Sequence, residues 1–364
     1  MVIQRKVSTN VAVIAEFGGS NAIWNCIKQH INLMMKAGAN IIIYLPITEP
    51  IEIIQDEYRP RIVLYSNKKE LKRKVKEKDI SIIWYPTNIS MFHYGRLGGH
   101  YRIILWIQGS DADESWMRNR SRIRVWALNF IEFVCLHRAD GLIHVSASML
   151  HFFEVKYKHS FRNNAIVPCI SDFNDYEPRT ERIPESYVYI GGLSKWQCFE
   201  EIVDIYTRVR TSNSVLHIIT MEIEKAKEIV KKKVGEDNSI SVYSITDRSR
   251  IPDILSRFQY GFLIRKDSPV NYVSSPIKFL EYLSCGVNVI MTDAVPSYAR
   301  LIKENNVGTI VDFKHMESIK INPFSPHARQ VYKKFFSPDR FIDQYRNLLK
   351  NALNDNRQLG GNYR

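Results

Sequence analysis

The residues with the clearest chemistry lie in a short segment that reads as a loop followed by a helix. Ser274 and Ser275 precede an apolar stretch at 277–283, and either hydroxyl could cap a helix there. Pro276 suits the first helical turn, where its missing N–H costs nothing. Lys278 lies in the same turn. Free backbone N–H groups, two hydroxyls and an ammonium group at one helix end predict an anion-binding site.

Glu281 narrows the kind of anion that this site would take. It lies one turn after Lys278, on the same face of the predicted helix. A carboxylate beside a phosphate repels it, so we expect Glu281 to accept hydrogen bonds from the paired hydroxyls of a sugar. Gly286 then offers a left-handed helix end, and a β-branched run typical of a buried strand follows. The segment therefore predicts a site for a nucleotide diphosphate sugar.

Two glycine turns follow predicted strands and could cradle the same ligand. Gly18 and Gly19 come after the first strand, but they lack the spacing of a dinucleotide fingerprint and the lysine of a phosphate-binding loop. A plain turn is an equally good interpretation of these two residues. Gly192 and Lys195 follow the first strand of the second half, where Lys195 could reach a phosphate or could simply be an exposed loop lysine.

Arg265 stands at the carboxyl end of another predicted strand, ahead of the serine pair. A guanidinium group there suits the two oxygens of a diphosphate. A salt bridge to Asp267 is the structural alternative.

A polar loop in the first half carries candidate catalytic groups. Gln108 ends a strand, and Asp111, Asp113 and Glu114 follow it. One of these acids could orient or deprotonate an acceptor hydroxyl, although the loop could equally be a solvated turn with a helix cap. The histidines show no metal-ligand spacing, so we expect no metal site.

Length and composition bound the class of protein. The chain has 364 residues, 45% of them hydrophobic and 24% charged, which fits two globular domains. No apolar run approaches the roughly 18 residues of a transmembrane helix, and the polar, basic first ten residues predict no signal peptide. Five scattered cysteines argue against a disulfide framework and indicate a cytoplasmic location.

The net charge of +13 lies mostly in the first half, in basic runs at 68–78 and 118–124. These runs could be solvated helix faces, or they could meet anionic lipid or a lipid-linked diphosphate. No nucleic-acid-binding motif accompanies them, so we expect no nucleic-acid partner.

Short β-branched runs alternate with amphipathic stretches, which predicts an α/β fold of two Rossmann-like domains with a ligand cleft between them. Predicted strands are at 11–17, 40–45, 61–65, 80–85, 103–107, 141–145 and 165–167, then at 187–190, 215–220, 240–243, 261–264, 287–291 and 309–313. The polar, proline-containing segment 171–186 is the predicted linker. The predicted domains are 1–172 and 173–337, with a C-terminal helical segment at 338–364.

Three stretches resemble the family 4 glycosyltransferases of the GT-B fold: residues 139–146, residues 189–193, and residues 275–287 around Lys278 and Glu281. The resemblance implies an acceptor-binding first domain, a second domain that holds the donor, and a C-terminal helix packed back on the first domain. It also implies retention of anomeric configuration with neither metal nor cofactor. Relatives of this kind commonly build bacterial surface polysaccharide, such as O-antigen or capsule, on a lipid carrier.

Some family positions differ in this chain. The family usually has two glutamates separated by seven residues; Glu281 matches the second, and Val273 replaces the first. Gln108 stands where the family has a histidine, and Gly192 and Gln197 replace its arginine and lysine. The donor phosphates would then depend on Lys195, Arg265, Lys278 and the helix end.

The predicted function is transfer of a hexose from a nucleotide diphosphate sugar to a lipid-linked glycan, by an enzyme peripheral to the inner face of the cell membrane. The alternatives are a nucleotide-sugar 2-epimerase of similar fold and a non-catalytic nucleotide-binding partner subunit.

Overall fold

The computed structural model describes residues 9–354, apart from three side chains at 314, 316 and 317. The expectations for the extreme N-terminus and for a frayed C-terminal end lie outside these residues. The described chain forms two compact units. The first contains the residues up to Pro168 together with those from Pro338 onward, and the second is Cys169–Ser337.

A parallel sheet forms the centre of the first unit, with the strand order β3-β2-β1-β4-β5-β6-β7. Its strands are β1 (Thr9–Ile14), β2 (Ala39–Pro46), β3 (Ile62–Tyr65), β4 (Ile82–Tyr85), β5 (Arg102–Ile107), β6 (Gly141–His144) and β7 (Asn164–Ile166). Every residue of β4 and β6 is buried, as expected for parallel strands with helices on both faces.

The helices of this unit connect successive strands. They are α1 (Asn21–Lys36), α2 (Lys68–Lys76), α3 (Asn88–Tyr94), α4 (Asp111–Asn119), α5 (Arg122–Arg138) and α6 (Ala147–Tyr157). The residues predicted as a polar loop after Gln108 are the first turn of α4, with Ser110 at its N-cap. Of the two interpretations left open, the structure thus has the helix cap, and three acids at a helix start favour the positive end of the helix dipole.

The second unit has its own parallel sheet, with the order β10-β9-β8-β11-β12-β13. Its strands are β8 (Ser186–Ile190), β9 (Val215–Ile219), β10 (Ile240–Tyr243), β11 (Tyr260–Leu263), β12 (Asn288–Met291) and β13 (Gly308–Ile310). The chain order reverses between β8 and β11, and in such sheets ligands bind beyond the carboxyl ends of the strands at this point.

The helices of the second unit are α7 (Phe199–Val209), α8 (Ile223–Val234), α9 (Ile251–Leu255), α10 (Pro269–Val273), α11 (Ile277–Ser284), α12 (Pro296–Asn305) and α13 (Ala328–Phe336). α11 is the helix of the serine–lysine–glutamate segment, and six of its eight residues are buried. It ends at Ser284, and Gly286, just beyond its C-cap, has φ 71°, the predicted left-handed conformation.

The last helix, α14 (Ile342–Asn354), packs in the first unit against α1 and the strands β5–β7. Tyr345 contacts the buried ring of His30, which lies 4.2 Å from the ring of Trp106. Burial lowers the pKa of His30 to about 3, so the imidazole is neutral in this core. The Asn163 amide donates 3.2 Å to the carbonyl of Leu348 in α14.

Segment 171–186, predicted as a linker, packs within the second unit. The side chain of Arg179 pairs with Asp253 at 2.6 Å, and Arg182 donates to the carbonyls of Phe258 and Cys285 at 2.7 and 3.0 Å. Composition could not reveal this anchoring because its partners lie more than 70 residues away in the chain.

Candidate functional site

Two cationic side chains lie at the reversal point of the second sheet. Lys278, in the first turn of α11, donates 2.7 Å to Oε1 of Gln197 and 3.3 Å to the hydroxyl of Tyr189. Its Nζ lies 4.5 Å from the centre of the Tyr189 ring, a cation–π contact. Gly191, after β8, has φ 136°, and a side chain there would collide with the Lys278 ammonium group. The glycine is therefore required for the lysine to lie across the end of β8.

Arg265 follows β11, next to β8, and is 7% exposed. Its Nη1 donates 2.9 Å to the carbonyl of Trp196, and its peptide N–H donates 3.1 Å to the hydroxyl of Thr292. The buried Nε has no hydrogen-bond partner among the described residues. The salt bridge to Asp267 considered as an alternative is replaced by the carbonyl contact.

Burial disfavours the ionised form of both cations, and the charge of Arg265 adds to this effect at Lys278. Burial, and then the charge of Arg265, lower the pKa of Lys278 well below its ordinary value, and Glu281 only partly opposes this. Burial likewise lowers the pKa of Arg265. The hydrogen bonds of both side chains run to neutral oxygens. An anion placed beside the Arg265 Nε would therefore be attracted by two cations, of which Lys278 is compensated only in part by the charge of Glu281.

Glu281, one turn after Lys278 in α11, has an arginine as its partner within the protein. Its Oε1 accepts a hydrogen bond of 2.6 Å from Arg248, which also forms a two-bond contact to Asp172 at 2.8 and 2.9 Å. Burial raises the pKa of Glu281, and the Arg248 charge opposes the rise. Burial disfavours the charged form of Arg248. The contacts of Arg248 with Asp172 and Glu281 outweigh this effect of burial and raise the pKa of Arg248. The role of Glu281 in holding sugar hydroxyls stays a prediction.

The two serines do not cap α11, and that prediction was wrong. The N-cap position is Pro276, whose backbone is extended with ψ 118°, and no side chain makes a capping hydrogen bond there. Ser275 is buried; its hydroxyl lies 2.6 Å from that of Tyr298 and accepts 3.1 Å from the peptide N–H of Cys169. Ser274 donates 2.8 Å to the carbonyl of Asn271. Both hydroxyls thus stabilise the loop that leads into α11.

The glycine turns of the two units each hold a carboxylate of the protein itself. The peptide N–H groups of Phe17, Gly18 and Gly19 donate to the Glu49 carboxylate at 2.9, 2.8 and 2.9 Å. In the second unit, Leu193 beside Gly192 donates 2.6 Å to Glu222. The first turn does bind an anion, but in this structure the anion is a side chain from the loop after β2.

Lys195 lies on the exposed 3₁₀ turn Lys195–Gln197, next to the lysine–arginine pair. Its proposed contact with a donor phosphate stays a prediction. Its neighbour Gln197 has a defined role, because it is the acceptor that positions Lys278.

The first-unit candidates surround a buried acid that the sequence did not reveal. Glu132 of α5 is 1% exposed and accepts from Lys156 at 2.8 Å, from Tyr157 at 2.9 Å and from the peptide N–H of Ala112 at 3.2 Å. It therefore ties α5 and α6 to the start of α4. A period-3.6 pattern would have placed Glu132 on the buried face of α5, and that was the signal available.

Asp111 and Glu114 lie in the first turn of α4, where Asp111 accepts 3.0 Å from the Asn88 amide. Burial raises the pKa of both carboxyls, and the charge of Glu132 adds to the rise in each case. Such a shift suits a proton acceptor that must work near neutral pH. Gln108 donates 2.8 Å from Nε2 to the carbonyl of Pro86, so its amide orients the loop after β4.

No group of three or more His, Cys, Asp or Glu in the described part of the chain is arranged to hold a metal ion.

Neither a protein-family model nor a curated protein sequence matches this chain. Several solved structures do match this chain. Sucrose-phosphate synthase from Thermosynechococcus elongatus matches with a TM-score of 0.66 at 13% identity, over 95% of this chain and 93% of that one. The lipopolysaccharide outer core galactosyltransferase WaaB matches with a TM-score of 0.61 at 14% identity, over 95% and 99%.

Anabaena Alr3699/HepE, solved with UDP and glucose, matches with a TM-score of 0.61 at 11% identity, over 95% of this chain and 94% of that one. The chain thus has the GT-B glycosyltransferase fold, with two Rossmann-like domains, as predicted.

Replacing Arg248 with methionine tests its pairing with Glu281. We expect the free energy of unfolding at neutral pH to fall by about 2–3 kcal/mol, less than for a wholly buried pair because Arg248 is partly exposed. The pKa of Glu281 would rise further without Arg248. A carboxyl group whose pKa is raised in the folded state binds more protons in the folded protein than in the unfolded one. The loss of stability caused by Arg248→Met should therefore shrink as the pH falls from neutral toward 4.5.

The matched control for this variant is Arg300→Met, which breaks the exposed pair with Glu304 and should change stability by less than about 0.5 kcal/mol. Denaturant unfolding between pH 5 and 8 measures both variants. An Arg248→Met deficit that grows as the pH falls would contradict the assignment.

Replacing Glu49 with alanine tests whether its carboxylate holds the first glycine turn. Three peptide N–H groups lose an ionised acceptor but regain water, so we expect a loss of about 1–2 kcal/mol in the free energy of unfolding. Glu52→Ala, an exposed acid nearby, is the control and should be neutral. Equal stability of the two variants would show that the turn does not depend on Glu49.

Proposed function

We propose that this protein is a retaining glycosyltransferase that moves a hexose from a nucleotide diphosphate sugar to a lipid-linked glycan in surface polysaccharide synthesis. One observation carries the proposal: Lys278 and Arg265 lie together at the reversal point of the second sheet, with the buried Arg265 Nε free of any partner among the described residues. Two partly desolvated cations without a protein anion fit the diphosphate of a donor.

The fold supports the same class of ligand. Anabaena Alr3699/HepE was solved with UDP and glucose, and the binding region of a doubly wound sheet is the strand edge where the two cations lie. WaaB, a lipopolysaccharide outer core galactosyltransferase, favours an acceptor in surface glycan assembly. These are properties of those proteins, and for this chain they support the proposal without deciding the sugar or the base.

In the proposed reaction the bond between the anomeric carbon and the diphosphate oxygen breaks, and its electron pair stays on the phosphate. Lys278 and Arg265 stabilise the charge that develops there, so their contribution grows as the bond lengthens. The acceptor hydroxyl attacks the same face of the sugar, and its proton passes to the departing phosphate oxygen. Asp111 or Glu114 orients that hydroxyl. No metal or cofactor is required by this sequence of steps.

A non-catalytic nucleotide-binding subunit is the second candidate. Val273, at the position of the family's first glutamate, is completely buried, and the Gln108 amide is bound to a backbone carbonyl. Neither residue offers an acid or base. Sugar transfer by the purified protein excludes this candidate, whereas donor binding without transfer to any membrane extract supports it.

Thermal unfolding with uridine, guanosine and thymidine diphosphates and their sugars tests donor binding directly. A bound donor stabilises the folded state by mass action, so one nucleotide series should raise the melting temperature in a concentration-dependent way. Radiolabelled transfer to membrane extracts from that donor then tests catalysis. Failure of all donors to bind would contradict the proposal.

Lys278→Met should weaken the affinity for the donor found in that screen. Loss of one charge-assisted contact is worth about 1.5–3 kcal/mol, which is roughly a 10- to 150-fold higher Kd by titration calorimetry. Lys303→Met, on the exposed face of α12, is the control and should bind normally. An unchanged Kd for Lys278→Met would refute the role of this lysine.

A further inference from the structure

Three helices of the first unit expose an unusual number of large apolar side chains. α5 packs against both α3 and α4, and we term the outer surface of these three helices the aromatic face. The aromatic face consists of Ile89, Phe92, Trp116, Met117, Ile123, Trp126, Phe130 and Phe133. Ile123 is 83% exposed and Trp126 is 72% exposed. Contiguous exposed apolar surface of this kind marks an interaction site.

Helical spacing and ring contacts bring several side chains of the aromatic face together. Positions 123, 126, 130 and 133 of α5 follow helical spacing, so they lie on one side of the helix. The Trp126 and Phe130 rings stack with centres 6.2 Å apart, and Phe92 of α3 meets Phe130 edge-on at 6.3 Å. The opposite side of α5 already supplies the core contacts, through Glu132, Cys135 and Leu136. The exposed side chains of the aromatic face are therefore not needed to pack α5 against the core.

Residues 116–130, which run from α4 into α5 along this face, contain four arginines and no acid. Arg118, Arg120, Arg122 and Arg124 are all exposed at the junction of α4 and α5. The Arg120 guanidinium group lies 5.2 Å from the centre of the Trp116 ring. α4 carries three acids in its first turn, Asp111, Asp113 and Glu114, and Glu114 pairs with Arg118 at 3.3 Å. Glu132, the acid of α5, is buried and paired, and α3 contains no acid. The arginines that lie beside the exposed rings, in a stretch without acids, are complementary to an anionic surface.

We propose that the aromatic face docks in the interfacial region of an anionic lipid bilayer. Tryptophan and phenylalanine bury at the level of the lipid headgroups, and each basic residue adds attraction to anionic lipid. None of the described helices is both long and apolar enough to cross a bilayer, so the contact is with one leaflet. The inference rests on the proposed function only where it concerns the acceptor, since a lipid-linked glycan is presented at such a surface.

Flotation of the full-length protein with vesicles tests the docking surface. Vesicles of phosphatidylcholine alone and of phosphatidylcholine with phosphatidylglycerol serve as probes. We expect binding to the anionic vesicles that weakens as salt rises, and a blue shift of tryptophan fluorescence. Trp126→Ser/Phe130→Ser should reduce the partition coefficient by about tenfold or more, because two exposed rings are lost.

Ile47→Ser is the matched control, since Ile47 is 60% exposed outside the aromatic face and should bind vesicles like the unchanged protein. Donor binding should be the same in all three proteins, and this readout separates the membrane surface from the proposed activity. Vesicle binding that the double variant retains would overturn the proposal. The proposal would also be overturned if the protein did not bind vesicles but did self-associate, and if the double variant lost that self-association. The aromatic face would then bind a second copy of this chain.

Discussion

The candidate site of the second unit depends on two positively charged side chains that lie close together and are shielded from solvent. Lys278 is held across the end of β8 by Gln197, by the Tyr189 ring and by the absence of a side chain at Gly191. Arg265 reaches the same region from β11 through the carbonyl of Trp196. Leaving such charges without an internal anion is costly, and a protein retains that cost where a ligand compensates it.

The contrast with Glu281 supports this interpretation. Glu281 is buried, with 3% of its surface exposed, yet its charge is matched by Arg248. Asp172 in turn binds Arg248. The first glycine turn is likewise matched, by Glu49. These two carboxylates are thus matched within their own units, whereas neither Lys278 nor Arg265 is hydrogen-bonded to a carboxylate. The unpaired group is the one that points to function.

The fold could be predicted further than the site. Each predicted strand is present, because buried parallel strands leave β-branched runs that local sequence reveals. The strand order and the partners of Glu281, Ser275 and Gly18 could not be predicted, since they depend on residues about 30 to 106 positions away. Lys278 and Arg265 were found because helix starts and strand ends carry local signals. Arg248 and Glu49 were missed because pairing in space leaves no local pattern, whereas the helical spacing of α5 did carry a signal for Glu132.

Proton uptake on donor binding tests whether Lys278 and Arg265 bind the donor diphosphate. Burial and Arg265 depress the pKa of Lys278, and a bound diphosphate would raise it again. Calorimetric titration at alkaline pH, repeated in buffers of different ionisation enthalpy, measures the protons taken up. The account predicts uptake in the unchanged protein that disappears in Lys278→Met. Binding without uptake, or uptake that survives the substitution, would contradict it.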